Sequence, residues 1–238
     1  MKDGLIAICS QLSLDVYRAP GEDDAACELR FRHQHGHRGS IAWIHELSTD
    51  THCVVIFGKD YTFCGFRGTE SFKVAMIDAD CLVTDQGWHD GFDRAWKSVC
   101  ERVLNLVSFC VPPLVLWGHS AGGAIAVRAQ WDLKPAHIRT FGQPPVGVGR
   151  VVDNIRNCCL SWIRGVNYLD IVPRSIIFLP HRGDVIEWDG HGRPHWNPGW
   201  HWRLALWIRG LWRAAIKHRD ELLRDHHAAT YARLGASF

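Results

Sequence analysis

The spacing of apolar and polar positions divides the chain into an opening helix, three short strands and a longer stretch in which strands and helices alternate. Over residues 4–17, Leu5, Ile6, Cys9, Leu12, Leu14 and Tyr17 recur near a helical period, and Pro20-Gly21 closes the segment. Glu22 to His37 is polar and aperiodic and reads as a loop. His33, His35 and His37 alternate in it, but no nearby Cys or paired carboxylate completes a metal site. Three runs rich in Ile, Val, Phe and Tyr follow at 40–46, 53–57 and 61–66. Gly58-Lys59-Asp60 reads as a hairpin turn, so the sheet is expected to begin antiparallel.

Leu82 and Val83 read as a further strand. Phe92, Ala95, Trp96, Val99, Val103, Leu106 and Cys110 then recur at steps of three and four, which predicts a strongly amphipathic helix ended by Pro112-Pro113. Beyond it come a strand at 114–117, a helix from Ala121, a strand at 138–141, a helical stripe at 151–162 and a strand at 165–171. This alternation implies a mainly parallel sheet with right-handed crossovers, whose ligands bind beyond the C-terminal strand ends. Residues 176–189 read as a hairpin and 191–201 as a loop. Residues 202–223 read as a helix carrying Leu204, Trp207, Ile208, Leu211 and Trp212 against Arg203, Arg209, Arg213 and Lys217. Such a helix can lie on a membrane surface; packing on the sheet with solvated arginines is the expectation.

The 238 residues are 47% hydrophobic and no Gly/Ser/Pro-rich linker divides them, so one domain over 1–238 is expected. With 27 basic against 25 acidic residues, the net charge of +2 gives no bulk electrostatic case for a nucleic-acid partner. No secretory signal is visible, and the longest stretch free of charged side chains, 103–127, is broken by Asn105, Pro112-Pro113 and Gly118-His119-Ser120. A cytoplasmic chain with at most peripheral contact with lipid surfaces is the expectation. The nine scattered cysteines read as reduced thiols.

Chemistry concentrates at Leu-Val-Leu-Trp-Gly-His-Ser-Ala-Gly-Gly, residues 114–123. An apolar strand runs into Gly118, a helix follows, and Ser120 occupies the bend between them in the GxSxG pattern, where only small neighbours leave room. A serine there is a weak nucleophile, so it needs an imidazole base, an orienting carboxylate and amide donors for an oxyanion. The chain order Ser, Asp, His is met by Ser120, by Asp170 at the end of a later strand, and by one of several later histidines. His226, just before a short C-terminal helix, is favoured, with His227 as its competitor. Ala121 would give one oxyanion amide; the second is expected from the Gly68-Thr69 turn, by backbone and by the Thr69 hydroxyl. The alternative is a Gly-rich loop in which Ser120 caps a helix.

Phe66-Arg67-Gly68-Thr69-Glu70, Trp88-His89-Asp90-Gly91-Phe92, Gly118-His119-Ser120-Ala121-Gly122-Gly123, Thr140-Phe141-Gly142-Gln143-Pro144, Asp170-Ile171-Val172-Pro173 and Asp225-His226 with Tyr231 resemble, in order and spacing, the class 3 lipases of the α/β-hydrolase superfamily. The resemblance implies an α/β-hydrolase fold, with a mostly parallel central sheet, antiparallel N-terminal strands and flanking helices. It implies hydrolysis of carboxylic esters of acylglycerols or related lipids through an acyl-enzyme. Ser120, Asp170 and His226 would be the triad and Thr69 and Ala121 the oxyanion hole, with a lid after Thr69 and no metal or other cofactor. A phospholipase A1 or acyltransferase using the same triad is the nearest alternative, and a non-catalytic lipid-binding relative docking through the basic Trp helix is the alternative of another class. Ala121 replaces the usual Leu, Pro145 the usual Arg, and Val74-Ala75 a lid Trp, which bears on acyl-chain preference and not on the triad.

Overall fold

The computed structural model describes residues 4–68, 83–110, 113–168, 170–174, 180–216 and 226–236. Eight strands form one sheet whose spatial order is their chain order: β1 (Ser40–Glu46), β2 (Thr51–Phe57), β3 (Thr62–Phe66), β4 (Leu114–His119), β5 (Ala136–Phe141), β6 (Ser161–Asn167), β7 (Asp184–Trp188) and β8 (Pro194–Trp196). β1, β2 and β3 pair antiparallel, β3 to β7 run parallel, and β8 returns antiparallel. Among the described residues the helices are α1 (Gly4–Asp15), α2 (Asp24–His35), α3 (Asp90–Val107), α4 (Ala121–Ala129), α5 (Gly149–Cys158), α6 (Trp200–Ile216) and α7 (Ala228–Gly235).

Because the parallel strands succeed one another across the sheet, crossovers of a single hand put α3, α4 and α5 on the same face. Trp96, Val99 and Val103 of α3, Ala124 to Val127 of α4 and Val151 and Ile155 of α5 share a core there with Val55, Cys64, Leu114, Leu116 and Ile138. The opposite face is covered by the ends of the chain. Ile6, Cys9 and Leu12 of α1 and Tyr231 of α7 pack on Val54, Ile56, Val115, Trp117 and Phe141. Neighbouring strand residues thus point to different helices, so the parallel strands read as unbroken apolar runs.

Several expected elements differ from the structure. The polar stretch after Glu22 is mostly helix: the Asp23 side chain accepts from the Ala26 amide at 2.8 Å, and Cys27, Phe31 and His35 form a narrow buried stripe at four-residue steps. His33 and His35 lie on that helix and His37 in the 3-10 turn after it (Gly36–Arg38), and the three do not form a metal site; His35 instead bonds Asp15, Nε2 to Oδ2 at 2.9 Å. The helical stripe expected to reach Trp162 ends at Cys158, and Trp162 lies in β6 opposite Ile138. A hairpin forms between β7 and β8, with its turn after Asp189; residues 176–179 of the hairpin expected at 176–189 lie outside the described residues. Val83 makes a single bridge to His89 in place of a strand. The expected lid after Thr69 and the end of the helix expected at 202–223 lie outside the described residues. Among the described residues no helix is long and apolar enough to cross a membrane.

Candidate active site

β4 delivers Ser120 to the C-terminal edge of the sheet. Its backbone adopts φ 57° and ψ −131°, an arrangement that side chains other than glycine rarely take. Ser120 precedes α4 but makes no capping bond, and its Oγ is buried without a hydrogen-bond partner among the described residues. The helix-capping alternative therefore fails here. The bend is tight because Gly122 passes against β3: a Cβ on it would lie 2.1 Å from the Phe66 carbonyl oxygen. Ala121 is the first residue of α4, where an amide has no acceptor inside the helix.

The structure brings Asp170 and His226 together across 56 residues of chain. Asp170 is completely buried just past the end of β6, and His226 precedes α7. His226 Nδ1 lies 2.9 and 3.1 Å from the two carboxylate oxygens and donates to them, which leaves Nε2 as the basic nitrogen. Asp170 also accepts from the Val172 amide at 2.9 Å and from the Tyr231 hydroxyl at 2.5 Å. Burial, reinforced by the carboxylate, holds the Tyr231 hydroxyl well above its ordinary pKa, so it remains a donor. Its own oxygen accepts the Asn167 amide at 2.9 Å. Gly142 underlies the pair at φ 58°, where a Cβ would come within 2.9 Å of both Asp170 Oδ2 and His226 Nδ1. His227 is exposed at the start of α7.

His119 ties this pair to the serine strand. Its Nε2 lies 2.6 Å from the His226 carbonyl oxygen, which can only accept, so Nε2 carries the proton. Nδ1 then accepts from the Tyr17 hydroxyl at 3.0 Å. Burial, with His226 adding to it, pushes the His119 pKa well below the usual imidazole range, so the ring is neutral. The same Tyr17 hydroxyl lies against Gly68, where a Cβ would fall 2.2 Å from it and 3.3 Å from Ser120 Cβ. Gly68 thus adjoins the serine; Thr69, expected in the oxyanion hole, lies outside the described residues. Neither Tyr17 nor His119 is singled out by the sequence motifs. A signal was present for His119, since strand alternation puts it on the face of Val115 and Trp117, where α1 packs.

Among the described residues, Asp24, His45 and His52 could hold a metal ion. They do not fit one well. The Arg67 guanidinium donates to Asp24 Oδ1 at 2.9 Å and contacts His52 Nε2, so a permanent cation already occupies the position.

Residues 63–179 match a family model described as lipase (class 3). No curated protein matches the chain. Among solved structures, the chain is similar to the triacylglyceride lipase of Rhizomucor miehei, with 20% identity and a TM-score of 0.66 over 81% of this chain and 82% of that one. Lipase II of Rhizopus niveus matches at 23% identity and a TM-score of 0.63, over 77% and 79% of the two chains. A triacylglycerol lipase of Penicillium expansum matches at 22% and 0.57, over 66% and 73%. At these identities the likeness is one of fold.

Proposed function

We propose, for a chain that belongs to the class 3 lipase family, that residues 1–238 form one serine hydrolase domain cleaving carboxylic esters of acylglycerols or related lipids. Ser120 Oγ attacks the ester carbonyl while His226 Nε2 takes its proton, and Asp170 fixes the tautomer and balances the imidazolium. The oxyanion that forms is met by the Ala121 amide and by the Gly68-Thr69 turn. The tetrahedral intermediate expels the alcohol, which leaves with the proton from His226, and an acyl-enzyme remains. Water then enters, gives a proton to His226 and adds to the acyl carbonyl; as the acyl–Ser120 bond breaks and the acid departs, His226 returns the proton to Ser120 Oγ.

One observation carries this reading: a strained, buried serine, its hydroxyl unused among the described residues, directly after a strand whose last residue, His119, is hydrogen-bonded to the residue that Asp170 orients. A loop serine would have no cause to hold such a backbone. The likeness to the triacylglycerol lipase of Penicillium expansum and the triacylglyceride lipase of Rhizomucor miehei supports the substrate class. The test sets wild type beside Ser120→Ala on a short p-nitrophenyl ester, a triacylglycerol emulsion and phospholipid vesicles. Ester turnover is expected in wild type alone, and equal turnover in the two proteins would overturn the assignment. The substrate panel also separates acylglycerol hydrolysis from phospholipase A1 activity.

A further inference from the structure

α6 carries its apolar side outward. Trp200, Leu204, Ile208 and Trp212 are 65, 44, 54 and 69% exposed, whereas Leu206 is 3% exposed. At about 100° per residue, the four exposed side chains form one stripe about 120° wide, and Leu206 lies about 180° from its centre. The helix therefore docks on the protein through Leu206 and presents the opposite, apolar side to solvent. Trp202, nearer the docked side, has its ring 4.7 Å from that of His195. Arg203 and Arg209 are solvated as expected, but Leu204, Ile208 and Trp212 do not pack on the sheet as expected.

The arginines complete the pattern. Arg203 and Arg209 are exposed, and each falls about 120° from the centre of the stripe, one on either side. From Gly190 to Arg219 the sequence has Arg193, Arg203, Arg209, Arg213, Lys217 and Arg219 and no Asp or Glu, although the whole chain is nearly balanced. We propose that α6 is an interfacial anchor that lies in the plane of an anionic lipid bilayer, with Trp200, Leu204, Ile208 and Trp212 immersed and Arg203 and Arg209 reaching the headgroups.

An outward stripe bounded by tryptophans suits the boundary between acyl chains and headgroups, where an indole has an apolar body and a polar N–H to satisfy together. Flanking guanidinium groups on long stems can stay with phosphate while the stripe is buried. Two copies pairing through this stripe would bring their arginines together without acids to offset them, which disfavours a second copy as the occupant. At 17 residues with arginines on both flanks, α6 is suited to lying on a bilayer and not to crossing it. This inference does not rest on the hydrolase reading, because adsorption needs no triad residue.

The experiment is co-sedimentation with phosphatidylcholine vesicles with and without phosphatidylserine, using Ser120→Ala protein so that lipid is not consumed. Binding is expected to the anionic vesicles and to weaken with salt. Trp200→Gln with Trp212→Gln should lower the partition coefficient about a hundredfold, and Arg209→Gln about fivefold. Circular dichroism and the unfolding midpoint check that the variants fold; should the Trp pair fail, Ile208→Gln and Arg209→Gln singly carry the test. No binding, equal binding to neutral vesicles, or binding indifferent to these substitutions would overturn the proposal. So would self-association that depends on the two tryptophans in a protein that ignores vesicles.

Discussion

If Ser120 is held for chemistry, its removal should make the protein more stable. Two separate costs are visible at the residue. Its Oγ is buried with no hydrogen-bond partner among the described residues, and an unsatisfied buried polar group costs about 1–3 kcal/mol. Its backbone at φ 57° and ψ −131° costs a residue with a Cβ about 1–3 kcal/mol more. Ser120→Ala relieves only the first cost. Ser120→Gly relieves both, less about 0.5–1 kcal/mol for the freedom glycine gains when unfolded. In a chain of this size 1 kcal/mol moves the midpoint by about 2–4 °C. Ser120→Ala should therefore unfold about 4 °C above wild type, and Ser120→Gly about 3 °C above that. Scanning calorimetry on the three proteins measures the series, and ester turnover should be lost in both variants, by about a millionfold. Midpoints at or below that of wild type in both variants would refute the claim that the site stores strain. A glycine variant no more stable than the alanine one would refute the backbone share of it.

Other consequences follow from neighbouring residues. Asp170→Asn should lower kcat for a p-nitrophenyl ester about ten-thousandfold through loss of the imidazole tautomer; His226→Ala should abolish turnover and the exposed His227→Ala retain it, which steady-state kinetics resolves. Gly122→Ala, whose Cβ would lie 2.1 Å from the Phe66 carbonyl oxygen, should cost about 3 kcal/mol in urea unfolding as β3 and α4 are forced apart. Burial, aided by Arg67, lowers His52 from 6.5 to about 4, so between those pH values the unfolded chain takes up a proton that the folded one refuses. Stability should therefore fall by about 3 kcal/mol from pH 6.5 to pH 4 on this account, and His52→Gln should flatten the profile of urea midpoints by that amount.

The parts of the fold that the sequence makes legible are those in which one periodicity dominates. α3 has a wide apolar face and its helix is plain, as are the apolar runs of β2, β3 and β4, because both faces of the sheet are covered. α2 is misread because it buries only a single file of residues, and its clearest signal is the Asp23 cap, not its hydrophobicity. β6 is displaced because Val151 to Trp162 keeps an apolar beat through the turn; only pairing to β5 decides that Trp162 is strand. At the candidate site, Asp170 and His226 could be named from chain order. The hydrogen bond from Tyr17 to His119 could not, since its partners are 102 positions apart and neither belongs to a local pattern of the other.

That contact reaches outside the matched stretch, residues 63–179. The crossover face can place Ser120 and, through β6, Asp170, whereas the imidazole bonded to Asp170 lies beyond residue 179. His226 comes from the C-terminal segment, which α1 and α7 carry over the other face, and Tyr231 of α7 braces Asp170 from that side. α1 packs closely on α7, where a Cβ on Gly235 would lie 2.0 Å from Ser10 Oγ. Tyr17, just past α1, orients the His119 ring that grips the His226 carbonyl. The two ends of the chain thus clasp each other over the serine strand, and the position of the His226 imidazole is set by packing between segments more than two hundred residues apart. Any substitution that loosens α1 from α7 acts on the imidazole first, because the carboxylate is anchored independently by the Val172 amide and by its place beyond β6.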